Sequence, residues 1–345
     1  MPTPSEYKKR YENIDVPLAD GRTVPVTINK YRLAGAKVQL RARVNAGART
    51  DFLQALAKHG IDTPLRIDTP NGIARVDPRV TQHEDALKKR QRDLLLTGSL
   101  STGVSDLHLS GLGGYRDVRP LGVRRLEFEL GSRMNTHVTD WSLLARYAFA
   151  GKGSPEACQV VLQLANAWGL ATNVQAYADS ALGLDCNGFV GNYLWHAKNG
   201  NPWTNLGLGN HDLGPDSPIR SGFHDHYQRH LLDRWESLDT KKMYVMMEVG
   251  KDGMVINGGD PSASSPGHIV ITEPNGRADR PDKDPKKSSF AVKVVEATGG
   301  HTPEGLWESW YTCTGSNSRT KIFSVFRESM DAGHQKMEVK IAAVS

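Results

Sequence analysis

The stretch Gly183-Leu184-Asp185-Cys186-Asn187-Gly188-Phe189-Val190-Gly191-Asn192-Tyr193-Leu194-Trp195 decides how the rest of the chain is read. From Cys186 onward, Phe189, Val190, Tyr193, Leu194 and Ala197 recur at the spacing of one helical face, and Gly200 supplies a stop. Asp185 is a fitting N-cap, because its side chain can accept from the free N–H groups of the first turn. Cys186 is therefore expected at the start of a helix whose other side is buried. There the unpaired N–H groups and the positive end of the helix dipole favour a thiolate. Asn187 and Gly188 are small enough for a substrate carbonyl to approach, and the Cys186 N–H is placed to meet a developing oxyanion. Position alone leaves open the alternative of a buried structural cysteine.

A nucleophilic cysteine needs a histidine base held by a third polar group. Of 12 histidines, His268 is the best placed: it follows the turn Pro266-Gly267 and heads the β-branched run Ile269-Val270-Ile271. A second run, Ala291 to Glu296, follows a charged loop over 275–289. An antiparallel hairpin centred near residue 282 sets Glu296 opposite His268, where a carboxylate can fix the imidazole tautomer. The alternative is a surface histidine beside an unrelated glutamate.

Asp185-Cys186-Asn187-Gly188-Phe189-Val190 resembles the Asp-Cys-Ser-Gly-Phe-Val signature of the NlpC/P60 cysteine hydrolases, with Asn187 in the serine position. That papain-like superfamily includes the CHAP amidases. The resemblance spans residues 155–300 and implies an α+β fold, a papain-like NlpC/P60-type domain with a nucleophile helix packed on a small antiparallel sheet. Gly267-His268-Ile269-Val270-Ile271 resembles the histidine strand, and Glu296 would be the third residue. It also implies an upstream tyrosine at the oxyanion site, for which Tyr177 is the positional candidate. Asp185, Asn187 and Gly188 would flank that site. The implied substrates are peptide or amide bonds of bacterial cell-wall stem peptides.

The chain has 345 residues, 38% hydrophobic and 23% charged, a composition of ordinary globular proteins. It holds no apolar run of about eighteen residues, so no membrane-spanning helix is expected. The length allows one large domain or two, and we expect an N-terminal α+β region over 1–120 for delivery, docking or regulation. Within it, strands are expected over 23–44, a helix from Thr50 to Gly60 and another from Thr81 to about Leu96. A Gly/Ser-rich linker, Thr97 to Gly114, leads to a strand at Leu126 to Leu130. The hydrolase domain would then occupy 121–345, with a helix opening at Ser154-Pro155-Glu156 and an insertion at about 199–240. The insertion carries Trp203, expected to line the substrate groove.

His226 and His230 stand four apart near His224 and His211, but neither His-Glu-x-x-His nor paired Cys-x-x-Cys accompanies them. No metal and no cofactor are expected. Trp307, Trp310 and Tyr311 read as core aromatics or a groove lining. Residues 1–100 carry 18 basic and 11 acidic side chains, a surplus suited to an anionic wall or an acidic partner. Nucleic-acid signatures are absent. Cys158, Cys186 and Cys313 are odd in number, so at least one stays unpaired within the chain.

The N-terminus carries no secretory signal pattern. A cysteine peptidase or amidase made in the cytoplasm would then reach a wall by lysis, a phage particle or a secretion system, with an immunity protein as a further partner. The rival readings are a papain-like toxin acting on a cytosolic protein (a protease, deamidase or acyltransferase) and a non-catalytic binding module.

Overall fold

Thr3 starts the first helix, α1 (Pro4–Glu12), through a capping box: its Oγ1 accepts from Glu6 N–H at 3.2 Å and its own N–H donates to Glu6 Oε2 at 2.7 Å. A hairpin of β1 (Ile14–Pro17) and β2 (Thr23–Val26) follows. The computed structural model describes residues 2–33, 45–58, 66–69, 72–75, 138–139, 145, 147–199, 230–250, 252–254, 256, 267–280, 289–328 and 330–344. The expected strand through Val38 to Val44, the helix from Thr81, the linker from Thr97, the strand at Leu126 and Trp203 lie outside those residues.

Helix α2 (Ala46–Lys58) starts four residues before Thr50. Asn45 caps it, its Oδ1 accepting from Ala48 N–H at 3.0 Å, whereas the Thr50 hydroxyl donates back to Ala46 O at 2.9 Å. The short strands β3 (Arg66–Thr69), β4 (Gly72–Arg75) and β5 (Val138–Thr139) form a separate sheet in the order β4-β3-β5. Three helices then run in succession: α3 (Pro155–Ala167) capped by Ser154, α4 (Val174–Ala181) capped by Asn173, and α5 (Cys186–Asn199). Among the described residues, no helix is long and apolar enough to cross a membrane.

The C-terminal part overturns the expected papain-like α+β domain with its small sheet. Strands β6 (Tyr244–Glu248), β7 (Ile269–Arg280), β8 (Ser289–Thr298), β9 (Gly305–Asn317), β10 (Ile322–Arg327) and β11 (Lys336–Ala343) close into an antiparallel barrel, ordered β10-β11-β6-β7-β8-β9. The pairing that decides this is β11 with β6, Ile341 facing Met246. It leaves the sheet no free edge.

Alternation sorts the barrel side chains into two cores. Tyr244, Met246, Val270, Phe290, Val292, Val294, Tyr311, Phe323, Val325, Met337, Val339 and Ile341, drawn from all six strands, fill the interior. Val245, Met247, Ile269, Ile271, Val295 and Ala297 point outward, into a second core shared with the helices. Helix α5 packs there against β7 and β8, and α1 lies over it, with the Tyr7 ring 5.6 Å from Tyr193 and 5.7 Å from Tyr11. Each such buried aromatic contributes about 1.5–3 kcal/mol. The N-terminal hairpin and α1 thus share one core with α5.

Candidate active site

Three backbone bonds place the turn before α5. Leu184 bridges Tyr31 in parallel fashion, with Leu184 N–H donating to Lys30 O at 2.8 Å and Arg32 N–H to Leu184 O at 3.1 Å. Asp185 N–H donates to Gly151 O at 2.8 Å. Asp185 is buried, and its carboxylate works in two directions: Oδ1 accepts from Gly188 N–H at 2.6 Å, and Oδ2 pairs with Lys152 Nζ at 2.6 Å. Burial pushes the Asp185 carboxyl up, and the Lys152 ammonium opposes that shift.

Two expected roles change as a result. Asp185 is a helix cap with a buried ion pair, and the Gly188 N–H is spent on it, so neither is a free oxyanion donor. Gly188 is small for another reason: a Cβ there would lie 2.1 Å from Gly151 O. The glycine lets the helix start press on the 151–152 backbone. Cys186 and half-buried Asn187 remain in the first turn, ahead of the helical bond from Phe189 N–H to Asp185 O at 3.1 Å.

His268 heads β7 as expected, but the hairpin register differs by two residues. Ile271 faces Val295 and Thr272 faces Val294, and extending that ladder sets residue 298 opposite residue 268. The loop end is displaced by five, with Arg280 facing Ser289, and a bulge between Thr272 and Arg277, where Pro274 has no N–H to give and Asn275 takes φ 61°, takes back three. An offset of two keeps the face. His268 and Glu296 are therefore diagonal neighbours, with His268 Nε2 at 2.6 Å from Glu296 Oε2. Cys186 lies near enough to His268 to favour its imidazolium form. With Nε2 engaged by the carboxylate, Nδ1 is the nitrogen left for the thiol.

Both residues continue the inward alternation of Val270 and Val294, so this pair occupies one end of the barrel. Two further side chains meet there: Tyr311, read from the sequence as a core aromatic or groove lining, and Arg327, which sequence reading missed. Tyr311 of β9 donates its hydroxyl to Glu296 Oε2 at 3.0 Å, and Arg327 of β10 donates from Nη2 to the same oxygen at 2.9 Å. Burial favours a neutral acid, but the Arg327 guanidinium and then His268 outweigh it and hold Glu296 down at about 2. Burial and the Arg327 guanidinium, its Nη2 3.5 Å from Nε2, oppose the imidazolium, yet Cys186 and Glu296 push His268 up to about 9.

Tyr177, the expected oxyanion tyrosine, packs on Phe149. Its ring meets Phe149 edge-on at 6.5 Å, and its hydroxyl, buried without a hydrogen-bond partner among the described residues, is pushed up to about 12 by burial and Asp51. The tyrosine beside Cys186 is Tyr31. Burial, then Cys186 and Asp185, hold its hydroxyl well above the usual range. Gly299, in the β8–β9 connection, faces the other side of that ring: a Cβ there would lie 2.9 Å from Tyr31 Cδ1.

Cys158, Cys186 and Cys313 are all free thiols. Cys158 is an instructive counterpart to Cys186: it is fully buried, and burial and Glu156 push its thiol far up, toward an inert side chain. Among the described residues, no group of three or more His, Cys, Asp or Glu side chains is arranged to hold a metal ion. No protein-family model, curated protein or solved structure matches the chain.

Proposed function

We propose that the protein is a cysteine hydrolase that cleaves amide or peptide bonds, acting on the stem peptides of peptidoglycan as an endopeptidase or amidase. The observation that carries this reading is His268, held at 2.6 Å by the buried Glu296 carboxylate and its pKa raised by Cys186, which stands at the start of α5. That is the arrangement a nucleophile, its base and an orienting group require.

In this reading the Cys186 thiolate attacks the substrate carbonyl while His268 carries the proton it has taken. First-turn N–H groups of α5 face the developing oxyanion, assisted by the positive end of the helix. His268 then delivers its proton to the departing amine, leaving a thioester on Cys186. Water, deprotonated by His268, attacks the thioester, releases the acid and restores the thiol. Glu296 stays ionised throughout, fixing the imidazole and balancing its charge.

The substrate class rests on the likeness of Asp185-Cys186-Asn187-Gly188-Phe189-Val190 to the NlpC/P60 motif. The basic surplus of residues 1–100 suits an anionic wall. Delivery would fall to a secretion-system or virion partner, or to lysis, and an immunity protein would protect the producing cell.

The test is digestion of purified peptidoglycan sacculi by the wild-type protein and by Cys186→Ala, with products read by mass spectrometry. New amine and carboxylate ends from the wild type, reduced about 10³-fold or more in the variant, are expected. Identical product profiles would exclude the wall as substrate.

A further inference from the structure

Arg327 is the charged side chain of the barrel's polar end that a cysteine-histidine-glutamate triad does not use. We propose that Arg327 is a positioning residue that keeps Glu296 ionised and aimed at His268, making the working unit Cys186–His268–Glu296–Arg327. Its consequence for turnover rests on the hydrolase reading; its test does not need a substrate.

The geometry fixes the guanidinium from several sides. Nη2 donates to Glu296 Oε2 at 2.9 Å and to Thr298 Oγ1 at 3.3 Å, both on β8. Nε donates to the Tyr311 hydroxyl on β9 at 2.9 Å, and that hydroxyl donates onward to Glu296 Oε2 at 3.0 Å. Nη1 donates to His334 O at 3.1 Å, in the turn between β10 and β11. One carboxylate oxygen thus receives three donors: His268 from the head of β7, Tyr311 from β9 and Arg327 from β10. A planar, permanently charged fork anchored at both ends holds it far more rigidly than a flexible ammonium would.

Charge balance gives the arrangement its purpose. Glu296 is wholly buried and Arg327 nearly so, with side-chain exposures of 0% and 7%. A carboxylate in such a place, left without a counter-charge, takes up a proton. A protonated Glu296 carries no charge to stabilise an imidazolium, and the proton transfer from Cys186 to His268 then loses its support. With Arg327 present, the carboxylate and guanidinium cancel. The thiolate and imidazolium then form a second pair, and the cluster sums to zero whichever way the Cys186 proton lies. Other titratable groups facing this cluster are Tyr31 and, around it, Asp185 and Glu304. Lys152 is spent on Asp185 at 2.6 Å, and Arg327 also stands 3.5 Å from His268, whose imidazolium it opposes directly; the cation in contact with Glu296 besides His268 is Arg327.

The experiment is the pH dependence of Cys186 alkylation by iodoacetamide, read on the Cys186 peptide by mass spectrometry, with Cys158 and Cys313 as internal references. Wild type, Arg327→Met and Arg327→Lys are compared, each checked for folding by circular dichroism. Arg327→Met is expected to move the acid-side midpoint up by about one pH unit, about a tenfold slower reaction on that limb. Arg327→Lys keeps the charge and recovers more than half of the shift. A folded Arg327→Met protein with the wild-type midpoint overturns the proposal, as does a Lys variant as impaired as the Met one, which marks a merely structural role. Should Arg327→Met fail to fold, Tyr311→Phe removes one link of the same chain and is expected to shift the midpoint in the same direction by a smaller amount; no shift overturns the proposal. Sacculi left intact by a wild-type protein whose Arg327 variants show the shift would sink the wall substrate and leave the positioning role standing.

Discussion

At one end of the barrel interior, the Trp235 ring lies 5.8 Å from Phe290 and 6.2 Å from Phe323, and its indole N–H donates to Phe290 O at 3.1 Å. Farther along the same strands, β8 and β10, the interior positions hold Glu296 and Arg327. The walls are shared, but the two ends follow different energetics. The aromatic end gains by removing apolar surface from water, with one indole N–H satisfied on the way. The polar end loses hydration of two charges and stands only because each has partners on several strands. A fold needing nothing but stability would have continued the apolar filling. The charged end gives up that stability, and it lies beside Cys186.

The largest break in that comparison is Trp235→Ala. Emptying the aromatic end is expected to cost about 3–5 kcal/mol in denaturant unfolding. The pH profile of Cys186 alkylation should stay unchanged, because no charge of the site is touched. A displaced profile would show that the two ends are not independent.

A smaller and sharper effect separates the ends by pH. Glu296 sits below its unfolded range and contributes stability above about pH 4.5, lost as pH falls toward about 2. His268 sits above its unfolded value, so its contribution is complete below about pH 6.5 and disappears as pH rises through about 9. Thermal melts of the wild type should therefore lose a few degrees between those alkaline limits, and His268→Gln should flatten that loss. Parallel curves for the two proteins would mean that His268 is not held as an imidazolium.

What the sequence made legible was local. The cap, the cysteine and the apolar face of α5 lie within a dozen residues and follow helical spacing. The His268 strand and its partner were also readable, though the position of their turn was not, and a bulge at Pro274 and Asn275 makes up only part of the difference, leaving an offset of two. Barrel closure was not readable, since β11 reaches β6 across about ninety residues of chain. Until that closure is known, Arg327 at the end of Ile322–Arg327 is indistinguishable from an exposed strand-end arginine. Trp307, Trp310 and Tyr311 belong to one strand, β9, which gives the aromatics separate fates: Tyr311 turns inward to Glu296, and Trp307 stacks on His301 at 3.8 Å. The same distance problem hid Tyr31. Its bridge to Leu184 joins segments more than 150 residues apart, whereas Tyr177 stands only nine residues before Cys186 in the chain.

The central claim is that Cys186 is a nucleophile activated by His268, and the most direct measurement is its iodoacetamide reaction rate at pH 6 in wild type and in His268→Ala. The account predicts that wild-type Cys186 reacts about tenfold or more faster than a free cysteine, and that the variant falls to the free-cysteine rate. A wild-type rate no higher than that of free cysteine, or one that survives loss of His268, would contradict it.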